Sequence, residues 1–155
     1  MSASLADHPE RALIHHLLLA PGLAPLAVTT NPLAVSFRMQ IEACRPDHVR
    51  ASFHIDTGFT QGNGVVQGGI LAAMLDFGMI FAAFTRTDTG HTLATVTQTT
   101  NYLRPALAGD FTVDAEVERA GRLLIHTRAT LSSTDGKPVA TASAPIALIP
   151  LPHAS

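Results

Sequence analysis

Hydrophobic and polar residues alternate along the first half of the chain, and this pattern predicts two strands. The alternation runs for eleven residues over 33–43 and resumes after Arg45-Pro46-Asp47 over 49–55. A period of two is typical of strands with one buried face, so the two stretches predict a β-hairpin. The positions expected to face inward are Leu33, Val35, Phe37, Met39, Ile41, Ala43, Val49, Ala51, Phe53 and Ile55.

A long apolar segment follows a glycine-rich loop at 57–64. The segment runs from Gly68 to Phe84 and is rich in Ala, Leu and Met, which favour a helix. Because it is apolar on every side, it predicts a buried helix, roughly 25–30 Å long.

The remaining patterns complete a predicted α+β fold. Four strands are expected at 92–103, 111–118, 123–131 and 139–149, and Asp7 can cap a helix that runs to about Ala20. The architecture that follows is a six-stranded antiparallel sheet around a central buried helix, with an extra N-terminal helix. We expect residues 1–30 to form a helical extension and residues 31–150 to form the main domain.

The amino-acid composition indicates that the chain assembles with another subunit. Charged residues make up only 14% of the chain, against roughly 25% in a typical soluble domain. The deficit predicts that another subunit covers part of the surface. The formal charge of −2 and the absence of Trp argue against nucleic-acid binding.

Several kinds of site are not expected. Cys44 is the only cysteine, which excludes intrachain disulfides, and the histidines lack metal-ligand spacing, so neither a metal nor a cofactor is expected. The apolar stretch at 13–19 fits neither a signal peptide nor a membrane span, which makes a cytoplasmic location without a membrane partner the expectation.

Asp76 is the strongest candidate for chemistry. It lies in the middle of the predicted apolar helix, and no basic residue stands three or four positions away to form a salt bridge. A carboxylate in such a place is costly unless it is paired, hydrogen-bonded or facing a cavity. Unpaired buried carboxylates cluster at active sites, so a functional role is favoured over a structural one.

Gly68 and Gly69 open the same helix. Free N–H groups at a helix N-terminus can form an oxyanion hole, although a tight turn alone would also explain the glycine pair. Gly68 and Asp76 are eight residues apart, which is about 12 Å along a helix axis. One carbonyl cannot contact both, so if both act on one substrate, they must come from different subunits. The sequence therefore predicts an obligate oligomer with the site at its interface.

These motifs resemble a known family. The residues concerned are Gly64-Val65-Val66-Gln67-Gly68-Gly69, then Leu75-Asp76, then Asn101-Tyr102-Leu103-Arg104-Pro105 with Gly109-Asp110. Together they resemble the hotdog-fold acyl-CoA thioesterases of the phenylacetate-pathway (PaaI) type. The family pattern is Gly-x-x-His-Gly-Gly, an acidic residue in the following helix and a strand that ends in Tyr/Phe-x-Arg-Pro. The resemblance spans about residues 33 to 149.

The resemblance implies a hydrolase that cleaves an acyl- or aryl-CoA thioester without a metal or cofactor. Asp76 would attack the thioester or activate a water, Gly68 would donate to the thioester oxygen, and Thr95 would orient the water. Gln61 would lie near the nucleophile or water, with Asn63 as the alternative if the loop register differs. Gln67 stands where the family usually has His, and its amide can hydrogen-bond but cannot titrate near neutral pH.

The same resemblance implies a surface for coenzyme A and a homo-oligomer, either a dimer or a dimer of dimers. The phosphates would meet basic residues of the later strands, although a solvated strand face also explains any single arginine. The expected substrate-binding residues are Val66, Gly69, Arg104, Arg119 and Arg122.

The sequence is also compatible with two other functions. A hotdog hydratase or dehydratase would act on acyl thioesters, but its relatives pair an acid with a His near the helix, and residues 61–84 contain no His. A non-catalytic acyl-CoA sensor is compatible with Gln67 in place of His. Retention of Asp76 counts against the sensor, because a binder gains nothing from a buried carboxylate.

Overall fold

The structure, a computed structural model, describes residues 8–152. Its helices are α1 (Pro9–Leu19), α2 (Pro32–Ser36) and α3 (Gly68–Phe84). Its strands are β1 (Leu26–Ala27), β2 (Gln40–Arg45), β3 (His48–Ile55), β4 (His91–Thr95), β5 (Thr99–Tyr102), β6 (Gly109–Ala120), β7 (Leu124–Ser133) and β8 (Pro138–Pro150).

All the strands belong to one antiparallel sheet. Their order is β1-β2-β3-β6-β7-β8-β4, and β5 also pairs with β8. The sheet wraps around α3, which packs against β3, β4, β6, β7 and β8. This is the hotdog arrangement that the sequence predicts, and the α+β fold is confirmed. Among residues 8–152, no helix is long and apolar enough to cross a membrane.

The central helix has the predicted bounds but is not covered on every side. Leu71, Met74, Leu75 and Met79 are buried against the sheet. A stripe on the opposite side stays exposed or half-exposed within the chain. The stripe consists of Gly69, Ala72, Ala73, Asp76, Phe77 and Ile80.

Gly78 lies where α3 approaches β6 closely, and we expect Gly78→Ala to destabilise the fold. A Cβ at this position would lie 3.2 Å from the Ala115 Cβ and well inside van der Waals contact with Val113 Cγ1. Both neighbours are fully buried, so overpacking should cost about 1–3 kcal/mol, more than the roughly 1 kcal/mol by which Ala is the better helix former. Urea unfolding of the native protein and the variant measures this difference.

A double-mutant cycle identifies the cause of that loss. If the contact with Val113 is responsible, Val113→Ala should cost less in the Gly78→Ala background than in the native protein. A Gly78→Ala variant with unchanged or higher resistance to urea would contradict the close packing of α3 on β6.

The first predicted strand is wrong over residues 33–36, which form α2. The Asn31 side chain accepts hydrogen bonds from the next two free N–H groups, at 3.1 and 3.2 Å, and Pro32 occupies the first helical turn. Arg38 then adopts a positive φ of 49°, and β2 begins only at Gln40. Local capping therefore overrides the alternation. Ala34 and Phe37 are buried here, whereas Leu33 and Val35 are exposed.

The predicted hairpin of β2 and β3 is confirmed, with one change of face. The register shifts between Ile41 and Ala43, so Cys44 rather than Ala43 is buried. Burial raises the pKa of the Cys44 thiol to about 11, which keeps it protonated at neutral pH.

Within the described residues the sheet has eight strands rather than the six predicted. The expected strand at 92–103 is divided into β4, where Thr95 pairs with Ile146, and β5, where Thr99 pairs with Ser143. Residues 96–98 separate the two. The other added strand is β1, which has only two residues.

The predicted N-terminal helix is confirmed as α1, which packs against α3. Its proposed cap, Asp7, lies outside the described residues. The His15 Nε2 lies 3.2 Å from the backbone oxygen of Phe84, at the C-terminal end of α3.

Candidate active site

Asp76 lies on the open stripe of α3. Its side chain is half-buried rather than buried, and Thr95 Oγ1 donates a 2.7 Å hydrogen bond to Asp76 Oδ1. No basic side chain among residues 8–152 pairs with it. The second carboxylate oxygen, Oδ2, accepts no bond from the described part of the chain. Asp76 can therefore act on a molecule that enters beside α3.

Thr95 reaches Asp76 because of the sheet topology. It is the last residue of β4, and its partner Ile146 is fully buried against the core. Thr95 shares the inward face of the sheet with this partner, so its hydroxyl faces α3. The structure thus brings together two of the residues that the sequence predicts for the site.

The N-terminus of α3 presents free backbone donors. Gln67 precedes the helix without a side-chain cap, and its carbonyl accepts the N–H of Ile70 at 2.9 Å. Within the described residues, the N–H groups of Gly68 and Gly69 have no acceptor. Such groups carry the positive end of the helix dipole and favour an anion or a developing oxyanion.

Tyr102 fixes this end of the helix, and sequence reasoning named it only as part of a motif. Its hydroxyl donates a 3.0 Å hydrogen bond to the Gly68 carbonyl oxygen. Its ring packs on Gly68, where an added Cβ would make an ordinary contact with the ring at 3.4 Å. The aromatic residue in the Tyr-x-Arg-Pro motif was the signal that could have placed it in the site.

The candidate residues divide between two cavities. A cavity of about 590 Å³ is lined by Asp76, Thr95 and Tyr102 together with neighbouring residues of α3 and β5. A second cavity of about 390 Å³ is lined by Gly68, Gln61 and Tyr102. Asp76 and Gly68 therefore do not meet within one chain, as their spacing along the helix requires.

The glycine-rich loop separates its polar residues. Gln61 lines the smaller cavity with Gly68, and so does the buried Val66. The Asn63 side chain instead accepts the N–H of Val65 at 3.2 Å inside the turn. Neither Asn63 nor Gln67 is among the residues that line these two cavities. The geometry favours Gln61 over Asn63 as the loop side chain near the helix N-terminus.

The three arginines predicted to bind substrate, Arg104, Arg119 and Arg122, have different surroundings. Arg104 donates to Asp135 at 2.9 Å and to the backbone oxygens of Lys137 and Pro138. These bonds stabilise the turn between β7 and β8. The hydrogen bond from Arg104 holds the pKa of the Asp135 carboxyl well below the usual range. Arg119 and Arg122 are exposed near the β6–β7 turn and have no partner among residues 8–152. A role in phosphate binding stays a prediction for all three.

Sequence reasoning missed Gln98, which also lines the larger cavity. Its Nε2 donates to the Ala72 carbonyl oxygen at 3.0 Å and to Thr100 Oγ1 at 2.9 Å. The Thr-rich sequence around it gave no signal, because its place depends on the break between β4 and β5.

Comparison with known proteins places the chain in a family. The family model of the Thioesterase superfamily matches residues 63–140. A candidate esterase of Saccharolobus solfataricus is 35% identical over 81 residues, which cover 51% of this chain and 56% of that protein. The chain therefore matches only about half the length of this curated relative.

Solved structures share the fold over most of the chain. A candidate thioesterase of Ralstonia eutropha, described as a phenylacetic acid degradation-related protein, is 28% identical with a TM-score of 0.76, covering 86% of this chain and 98% of its own. The Escherichia coli PaaI protein, from the phenylacetic acid degradation operon, is 17% identical with a TM-score of 0.74, covering 90% and 94%, and shows the fold alone. From the family match and the shared fold, we conclude that this chain belongs to the thioesterase superfamily.

Proposed function

We propose that the protein is an acyl-CoA thioesterase, which hydrolyses an acyl- or aryl-CoA thioester to the free acid and coenzyme A. The observation that carries this proposal is the Asp76 carboxylate on the open stripe of α3, which Thr95 holds through Oδ1 while no described residue bonds to Oδ2. A carboxylate of this kind can act on a thioester as a base or as a nucleophile.

The active site is completed by a second copy of the chain. Asp76 and Gly68 line different cavities. Two α3 helices packed side by side in opposite directions would bring Asp76 of one copy to the Gly68 end of the other. The uncovered stripe of α3 supports this pairing. So does β4, because it is the last strand of the sheet and its outer edge pairs with no described strand. The assembly is a homodimer or a dimer of dimers.

The reaction needs one water and no redox change. Asp76 either takes a proton from the water as it attacks the thioester carbon or attacks that carbon itself, giving an anhydride that water then cleaves. The carbonyl oxygen becomes an oxyanion, which the N–H of Gly68 from the other copy stabilises. The C–S bond then breaks, and the coenzyme A thiolate takes up a proton.

Other candidates complete the site. Gly69 and Val66 line the two cavities and serve substrate binding, and Gln61 lines the Gly68 cavity from the loop, where it would lie near the nucleophile or water. Arg119 and Arg122 are exposed and pair with no described residue, so their positive charge is suited to the phosphates of coenzyme A. Arg104 holds the hairpin beside the smaller cavity.

The proposal predicts release of free coenzyme A from at least one member of a panel of short-, medium-, long-chain and aryl acyl-CoAs. A thiol reagent measures the product directly, and buried Cys44 does not interfere. If acyl-CoA binds tightly but no member of the panel releases coenzyme A, the protein is a sensor rather than an enzyme. Addition of water to an enoyl-CoA without release of thiol would instead identify a hydratase.

A further inference from the structure

Gln98 is held in one orientation beside α3. The Ala72 carbonyl oxygen can only accept a hydrogen bond, so the atom 3.0 Å from it must be the amide nitrogen of Gln98. The same nitrogen donates to Thr100 Oγ1 at 2.9 Å. Both amide N–H groups are therefore used, and the amide oxygen Oε1 is left as an acceptor.

Thr100, in contrast, is left with a hydrogen-bond donor. Its hydroxyl oxygen accepts from Gln98, so its own O–H remains free to donate. No described residue accepts from it or donates to Gln98 Oε1. Both side chains are half-buried and line the same cavity as Asp76. This wall of the cavity thus offers one oriented acceptor next to one hydroxyl donor.

The pair lies close to the reacting group. In an α-helix, the carbonyl of Ala72 accepts the backbone N–H of Asp76, so Gln98 is bonded to the peptide one turn before the carboxylate. One turn is about 5.4 Å. An acyl group whose carbonyl carbon is beside Asp76 can therefore reach Gln98 and Thr100 within a few bonds.

We propose that Gln98 and Thr100 select acyl groups that carry a hydroxyl a few bonds from the thioester carbonyl. This inference rests on the proposed thioesterase function. A hydroxyl would donate to Gln98 Oε1 and accept from the Thr100 O–H, which satisfies both groups. A plain hydrocarbon chain would displace water and leave both unsatisfied. A carboxylate would meet the acceptor Oε1 and the charge of Asp76, so an anionic substituent is disfavoured.

The test compares matched substrates and matched variants. The ratio of kcat/KM for 3-hydroxybutanoyl- or 4-hydroxybutanoyl-CoA to that for butanoyl-CoA is measured for the native enzyme, Gln98→Leu and Thr100→Val. We expect the native enzyme to prefer one hydroxylated substrate by about tenfold or more, and each variant to lose most of that preference. Thr99→Val is the control, because Thr99 is exposed and the alternation of the strand points it away from α3.

The outcomes separate this inference from the proposed function. Equal kcat/KM for hydroxylated and plain substrates in the native enzyme overturns it, as does a preference that survives in both variants. A uniform loss on all substrates in Gln98→Leu and Thr100→Val also overturns it, because the two residues would then serve the water or the fold. Absence of thioester cleavage on every acyl-CoA is the failure of the proposed function itself. Thr100→Val is nearly isosteric and keeps the test valid if Gln98→Leu does not fold.

Discussion

Replacement of Asp76 by Asn is expected to lower kcat by about 10²–10⁴-fold. The amide keeps the shape of the side chain, and its Oδ1 can still accept the hydrogen bond from Thr95. It can neither take a proton from water nor attack the thioester carbon. The measurement is coenzyme A release by the native protein and the variant on the best substrate, with acyl-CoA binding measured by calorimetry.

Thr95→Val is the matched control for this prediction. It removes the hydrogen bond to Asp76 and leaves the carboxylate in place, so we expect a smaller loss, about tenfold. Acyl-CoA should still bind to Asp76→Asn, because no bond to the substrate's coenzyme A portion is removed. Native-like turnover by Asp76→Asn would show that the carboxylate is not the group that performs the chemistry.

Replacement of Gly68 by Pro is expected to lower kcat by about 10²–10³-fold. Gly68 is the first residue of α3, where Pro is well tolerated, and the preceding Gln67 already has the extended conformation (φ −58°, ψ 137°) that Pro requires. The variant should therefore fold while lacking the backbone N–H that we assign to the oxyanion. The measurement is kcat, together with the midpoint of thermal unfolding.

Gly68→Ala separates loss of the N–H from the effect of a side chain. Its Cβ would make an ordinary contact, 3.4 Å from the Tyr102 ring, and its N–H would remain. We expect Gly68→Ala to retain much more activity than Gly68→Pro. Equal activity of the two variants would place the oxyanion donor elsewhere.

The central helix and the later strands could be predicted because local and global signals agree there. The run from Gly68 to Phe84 is apolar and rich in helix-forming residues, and its bounds match α3. Where the signals conflict, the prediction is wrong. At residues 33–36 the alternation favours a strand, but Asn31 and Pro32 start a short helix instead.

The candidate site could be predicted only in part, for a physical reason. The separation of Asp76 from Gly68 follows from the rise of a helix, and the place of Thr95 follows from the family resemblance. The half-exposure of Asp76 could not be predicted, because an apolar run does not show which side the sheet leaves uncovered. Gln98 and Thr100 enter the cavity only because the strand breaks at 96–98, which the sequence does not signal.

The most direct test of the account is complementation between two inactive variants, Asp76→Asn and Gly68→Pro. If each site takes Asp76 from one copy and Gly68 from the other, a mixed dimer has one site with both defects and one intact site. Refolding the two variants together in equal amounts should then restore about a quarter of native activity. Half of the dimers that form are mixed, and each mixed dimer has one of its two sites intact. No recovery above the separate variants, with mixed dimers shown to form, would contradict a site shared between two copies.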